Sequence, residues 1–210
     1  MVVRTRSRLF VEGGGNSDAL KTECRRGFRM FLERAGLRGR LPRIVACGSR
    51  TRAYETFRVA IEGASDTDTL VLLVDSEGPV PQPATSAEPW HHVGQHIEDQ
   101  WEKPAGACDS DLHFMVQCME SWLLADRSVL RGYFGPRLNE RALPQRSNVE
   151  RIDKSDVLRG LRNATRDTPA GPYSKSKHAF KLLAQIDPAR VREASAYAER
   201  FLTHLHEVLQ

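Results

Sequence analysis

The apolar residues along the chain follow two spacings. Arg8-Leu-Phe-Val11, Ile44-Val-Ala-Cys47, Leu70-Val-Leu-Leu-Val74 and His113-Phe-Met-Val-Gln-Cys118 read as four short strands. The third is continuously apolar, which suits a strand buried on both faces of a parallel sheet. Between them the spacing becomes helical. Leu20, Cys24, Phe28, Phe31 and Ala35 form one stripe, with Asn16, Ser17 or Asp18 available as N-cap and Gly36 at its close. Tyr54, Phe57 and Ile61 form a second, ending near Gly63. Gly78 to Pro89 carries four prolines and reads as a loop. His91 to Trp101 reads as a helix with Val93, Ile97 and Trp101 inward, and Glu120 to Asp126 as another.

The texture changes after Gly135. Pro136 to Val149 reads as polar loop, followed only by helices, over about 155–166, about 176–186 and from Asp187 onward. Asp187 is the expected N-cap of the last, with Pro188 in its first turn. Its stripe is Val191, Ala194, Ala198, Phe201, Leu205 and Val208. Strands alternating with helices predict an α/β fold, a mostly parallel sheet flanked by helices. The expected division is an α/β domain over 1–135 and a helical C-terminal region over 136–210 packed on it.

Composition narrows the class. Of 210 residues, 40% are hydrophobic and 28% charged, which supports a packed core and excludes global disorder. The longest apolar run, Leu70 to Val74, falls far short of the ~18 residues of a membrane span. Met1 to Arg8 has no secretory apolar stretch, so the expectation is a cytoplasmic protein without membrane contact. The net charge of +4 permits nucleic-acid binding without demanding it. Four cysteines without a C-x-x-C pair argue against a zinc knuckle, and Cys24 and Cys118 are expected as core thiols.

The acidic residues carry the chemistry. Ligands of an open parallel sheet sit off the carboxyl ends of its strands. Glu12 closes the first predicted strand, Asp75 and Glu77 follow the third, and Glu120 follows the fourth. Each alone suits a solvated strand end or a helix cap. Four carboxylates at three such ends repel one another unless a cation lies between them, and oxygen ligands suit Mg²⁺. Gly13 to Gly15 matches neither common phosphate-loop pattern and reads as a tight turn that holds Glu12.

Val11-Glu-Gly-Gly-Gly15, Gly48-Ser-Arg50, Leu73-Val-Asp-Ser-Glu77 and Met115-Val-Gln-Cys-Met-Glu-Ser-Trp-Leu-Leu-Ala-Asp126 resemble successive motifs of a bacterial Toprim-like family known as domain of unknown function 4276. Tyr173-Ser-Lys175, His178-Ala179 and Leu182-Leu183 extend the likeness over nearly the whole chain. The resemblance implies a Toprim-like (Rossmann-like) fold related to the overcoming-lysogenization-defect nucleases. It implies Glu12 as metal ligand or general acid/base, and Asp75 and Glu77 as ligands of Mg²⁺ or Mn²⁺. Glu120 and Asp126 look like additional metal-site acids, and Lys175 like a group that stabilises phosphate charge. The best-known Toprim pair is Asp-x-Asp, and Glu77 departs from it. Lys177 and His178, with Lys175, resemble a phosphate-facing cluster.

Arg50 and Arg52 follow the second strand, within reach of a substrate phosphate or simply solvated. His91, His92 and His96 form H-H-x-x-x-H, in which His92 and His96 would share a helical face, but no third zinc ligand at a convincing spacing follows. Trp90 and Trp101 are candidates for base stacking, whereas Trp122 reads as core. The expected function is Mg²⁺-dependent phosphodiester hydrolysis of DNA or RNA in a bacterial defence or nucleic-acid-processing system. The alternative is a non-catalytic nucleic-acid-binding or adaptor subunit of an ABC-type ATPase. The resemblance admits such an ATPase as partner and leaves a homo-oligomer open.

Overall fold

The computed structural model describes residues 6–81, 83–96 and 99–209. Four strands, β1 (Ser7–Gly14), β2 (Arg43–Gly48), β3 (Thr69–Asp75) and β4 (Leu112–Met115), form one all-parallel sheet in the order β2-β1-β3-β4. The helices are α1 (Asp18–Leu32), α2 (Arg50–Glu62), α3 (Pro89–Gln95), α4 (Met119–Ala125) and α5 (Arg127–Phe134), followed by α6 (Lys154–Thr165), α7 (Lys175–Leu183), α8 (Pro188–Ala194) and α9 (Ala196–Val208). The fold is therefore α/β with a run of C-terminal helices. Among the described residues no helix is long and apolar enough to cross a membrane.

Strand alternation sorts the core into two layers. Leu9, Val11, Val71, Leu73 and Met115 face one side and Phe10, Leu72, Val74 and Phe114 the other. The first side is covered by α1, where Phe28 and Phe31 are buried, and by α4 with Trp122. Leu161, Leu182, Val191, Phe201 and Leu205 from the C-terminal helices join the same apolar cluster. The second side receives Phe57 of α2 and Trp90 and Val93 of α3. The chain runs from β1 outward to β2, then returns past β1 to β3, so the strand order reverses between β1 and β3. A crevice forms off the strand ends at such a point, the usual ligand site of open α/β sheets.

Several expected boundaries shift for local reasons. Ser17 is the N-cap of α1, its Oγ accepting from the Leu20 N–H. The fourth strand is short and ends at Met115, and Glu120 lies in the first turn of α4 rather than at a strand end. The helix expected over 91–101 is α3, which starts at Pro89 and stops at Gln95. Ile97, assigned to that helix, lies outside the described residues, as do Met1 to Thr5. The last helix is two helices. Ser195 takes an extended backbone, accepts from the Ala198 N–H and donates to the Glu150 carboxylate at 2.6 Å. Val208, expected in the buried stripe, is exposed.

Candidate metal centre

β1 and β3 run side by side with Val11 opposite Leu73, so the next residues of both strands meet at the crevice. The Asp75 N–H donates to Glu12 Oε2 at 3.1 Å. Asp75 is 1% exposed, and its Oδ1 accepts from the Met119 N–H at the start of α4 at 2.8 Å. Glu77 reaches the site by a different route from strand alternation. The strand has ended, and Glu77 adopts φ +63°, an uncommon backbone for a residue with a side chain. Its N–H donates to the Gln117 carbonyl at 3.0 Å. Carboxylate oxygens of Glu12, Asp75 and Glu77 then lie within 4.8 Å of one another.

Glycine makes this approach possible in two places. A Cβ on Gly48 would stand 2.7 Å from the Gly15 carbonyl, and one on Gly13 would meet the Phe180 ring at 2.9 Å. The triple-glycine turn thus packs closely on the end of β2 directly after Glu12, where the strand pairing is bulged.

Two lysines enter the cluster from the C-terminal helices. Lys154, the first residue of α6, places its ammonium 2.5 Å from Glu77 Oε2 and 3.8 Å from Asp75 Oδ2. Lys175, the first residue of α7, stands 3.6 Å from both Asp75 Oδ2 and Glu120 Oε2. Glu120 is 0% exposed, and its Oε1 accepts from the Tyr173 hydroxyl at 3.2 Å. With all six groups ionised, Glu12, Asp75, Glu77 and Glu120 against two ammoniums leave two negative charges uncompensated.

The electrostatics reflect that excess. Burial, with the Glu12 carboxylate beside it, pushes Asp75 up to about 7. Burial also raises Glu12, against the hydrogen bond from the Asp75 backbone. For Lys175 burial works against the charge, yet Asp75, Glu120 and Glu12 outweigh it and hold the ammonium above its ordinary range. Lys154 is raised similarly, by Glu77 and Asp75 against burial.

The residues fit a divalent cation. Asp75 Oδ2 and Glu120 Oε2 are buried without a hydrogen-bond donor, an expensive condition for carboxylate oxygens. The donors are all carboxylate oxygens, the set preferred by hard cations. The triad of Glu12, Asp75 and Glu77 can hold a metal ion.

Among the remaining candidate residues, Arg50 stands close enough to Glu12 for its charge to favour the carboxylate, and the others take up structural or exposed positions. Asp126 is the N-cap of α5, where it accepts from the Ser128 hydroxyl and the Asp187 N–H and pairs with Arg190 at 3.2 Å. These partners hold its carboxyl below the usual range, burial notwithstanding, and it stands apart from the triad. Arg50 is buried, forms a two-pronged ion pair with Asp99 and stacks on Trp101, 4.7 Å from the ring centre. Arg52 is exposed beside Asn16. Lys177 is exposed on α7. His178 is buried, its Nδ1 accepting from the Ser174 N–H while Tyr133, Phe134 and Tyr173 surround the ring. Its position is that of a helix-start brace. Trp90 and Trp101 are buried against Phe57 and Tyr54, so neither presents a face to a base, and Trp122 is core as expected. His96 stands just past α3, 3.3 Å from the Asp99 carboxylate.

Lys154, Tyr173 and Gln117 are the site-forming residues that pattern reading passed over. One signal was available for Lys154 and Lys175. Each is the first residue of a helix, the end where a positive charge is electrostatically unfavourable. A lysine there points to a carboxylate partner from another element. A cavity of about 500 Å³ lies elsewhere, lined by His113, Arg200, Thr203 and His204, and shares no residue with the acidic cluster.

No curated protein and no solved structure matches the chain. A family model does match, over residues 11–206, and it spans both the acidic crevice and the two helices that bring lysines to it. The chain therefore belongs to the family described as a domain of unknown function, DUF4276.

Proposed function

We propose that this chain hydrolyses phosphodiester bonds of DNA or RNA with Mg²⁺ or Mn²⁺ held by Glu12, Asp75 and Glu77, in a Toprim-like arrangement. The observation that carries this reading is the convergence of three carboxylates within 4.8 Å at the strand-order reversal, beside buried carboxylate oxygens without donors. A cation held there supplies Lewis-acid stabilisation of phosphoryl oxygens and a bound water of lowered pKa. The chain's own groups do the positioning. The Met119 N–H fixes Asp75 by one oxygen and leaves the other facing the crevice. Tyr173 fixes Glu120. Lys175, half-exposed at the mouth, has N–H groups to offer a phosphate oxygen.

The test is cleavage of single- and double-stranded DNA and RNA with Mg²⁺, with Mn²⁺ and with EDTA. The wild type should cut only with a divalent cation. Asp75→Asn keeps the acceptor for the Met119 N–H and removes the charge, so it should stay folded. Its activity should fall at least ~100-fold, since metal stabilisation is worth several kcal/mol and each ~1.36 kcal/mol is tenfold in rate. Full cleavage by folded Asp75→Asn would overturn the reading. A folded wild type that binds nucleic acid and never cuts it would favour the adaptor role on an ATPase.

A further inference from the structure

The geometry points to Lys154 as a built-in competitor of the divalent cation: its ammonium holds the cation's place on Glu77 and Asp75 and withdraws when the metal binds. This inference rests on the metal-site reading above and concerns how that site is filled.

Three observations carry it. First, Lys154 engages two of the three triad acids, with Glu77 at 2.5 Å and Asp75 at 3.8 Å, so its charge lies against carboxylates that would hold a metal. Lys175 differs, since it lies on the side of Asp75 and Glu120. Second, one residue fixes the backbones at both ends of the Glu77 ion pair. The Gln117 carbonyl accepts from the Glu77 N–H at 3.0 Å, and Gln117 Oε1 accepts from the Lys154 N–H at 3.1 Å. The ammonium can therefore leave on its flexible four-carbon stem while α6 and the Glu77 turn stay in place. Third, the Lys154 side chain is 27% exposed, which gives the ammonium a path to water, whereas the Asp75 side chain it caps is 2% exposed.

An ammonium and a divalent cation at one set of oxygens exclude each other by charge and by volume. The lysine therefore weakens cation binding while keeping the acids paired in the metal-free protein. The consequence is a site that fills in proportion to free cation rather than holding a permanent metal.

The experiment is calorimetric titration of Mn²⁺ into metal-free full-length protein at one pH and salt concentration. The proteins compared are wild type, Lys154→Met, Lys154→Arg and Lys103→Met, the last a remote change of the same charge. Removing a positive charge a few ångströms from the ion should tighten binding by at least about fivefold in Lys154→Met. Lys154→Arg, which keeps the charge, should stay within about threefold of wild type, and so should Lys103→Met, which alters only an exposed pair. Wild type that binds Mn²⁺ while Lys154→Met binds it equally or more weakly overturns the competitor role and makes Lys154 a support for Glu77. Equal tightening by Lys103→Met also overturns it, since the effect is then one of overall charge. If neither wild type nor Lys154→Met binds Mn²⁺, the metal-site reading itself fails. Should Lys154→Met lose its fold by circular dichroism, Lys154→Gln carries the same comparison.

Discussion

Asp75 concentrates the tension in this molecule. It is the most enclosed acid of the triad, shares hydrogen bonds with Glu12 and Met119, and faces two ammoniums with an oxygen that has no donor. Its pKa of about 7 exceeds the ordinary aspartate value of 3.8. Between those two pH values the folded protein keeps a proton that the unfolded chain has lost. Stability from this group is thus fully present below about pH 4 and is lost as pH rises through about 7, by on the order of a few kcal/mol. Other groups titrate too. His113, held neutral by burial, contributes stability that grows as pH rises through the ordinary histidine range. The difference between wild type and Asp75→Asn cancels groups remote from the site and reports Asp75 together with Glu12 beside it. In urea unfolding with EDTA, wild type should lose stability relative to Asp75→Asn between pH 5 and pH 8. A constant difference would show that Asp75 is ionised throughout.

At the scale of elements, the site depends on how closely α7 approaches α1 and β1. Gly27 of α1 lies under α7, where a Cβ would stand 2.8 Å from the Phe180 carbonyl. Gly27→Ala gains helix propensity of ~1 kcal/mol, but it pushes against backbone that cannot turn aside. The net effect expected in urea unfolding is a loss of about 1–3 kcal/mol. A stabilised Gly27→Ala would mean the two helices are not so tightly set. Phe201 and Leu205 of α9 are fully buried, so Phe201→Ala and Leu205→Ala should each cost about 2–5 kcal/mol. Wild-type melting of both would place α9 off the body. The strands were legible because each is a short apolar run, and α1 because its stripe and its Ser17 cap are local. The break at Ser195 was not legible. It depends on Glu150, which is 45 residues away and bonds both the Ser195 hydroxyl and the Tyr197 N–H. The early end of α3 was hidden for a similar reason. Trp101 keeps the inward role that spacing suggested, but as a loop residue stacked on Tyr54.

Across the whole molecule, the acids come from the strand ends and α4, and the cations from α6 and α7. The acidic half of the site was readable from sequence, since strand-end carboxylates are visible once strands are placed. Glu77 joins the triad through a left-handed turn after the strand, a backbone state that its place in the sequence does not reveal. The cationic half was only partly readable. Lys175 came from family likeness alone, and Lys154, 77 residues from its Glu77 partner, left only its odd place at a helix start. Arg50, read in sequence as phosphate-reaching or solvated, is buried against Asp99 with its charge still felt at Glu12, and His178 braces the start of α7 through Ser174. The decisive question is whether a cation occupies the triad. The direct measurement is anomalous diffraction at the manganese edge from crystals of the full-length protein soaked in Mn²⁺. It should show a peak within bonding distance of carboxylate oxygens of Glu12, Asp75 and Glu77, with the Lys154 ammonium moved away from Glu77. A well-ordered crystal at saturating Mn²⁺ with no peak there, and Lys154 still seated on Glu77, would contradict it.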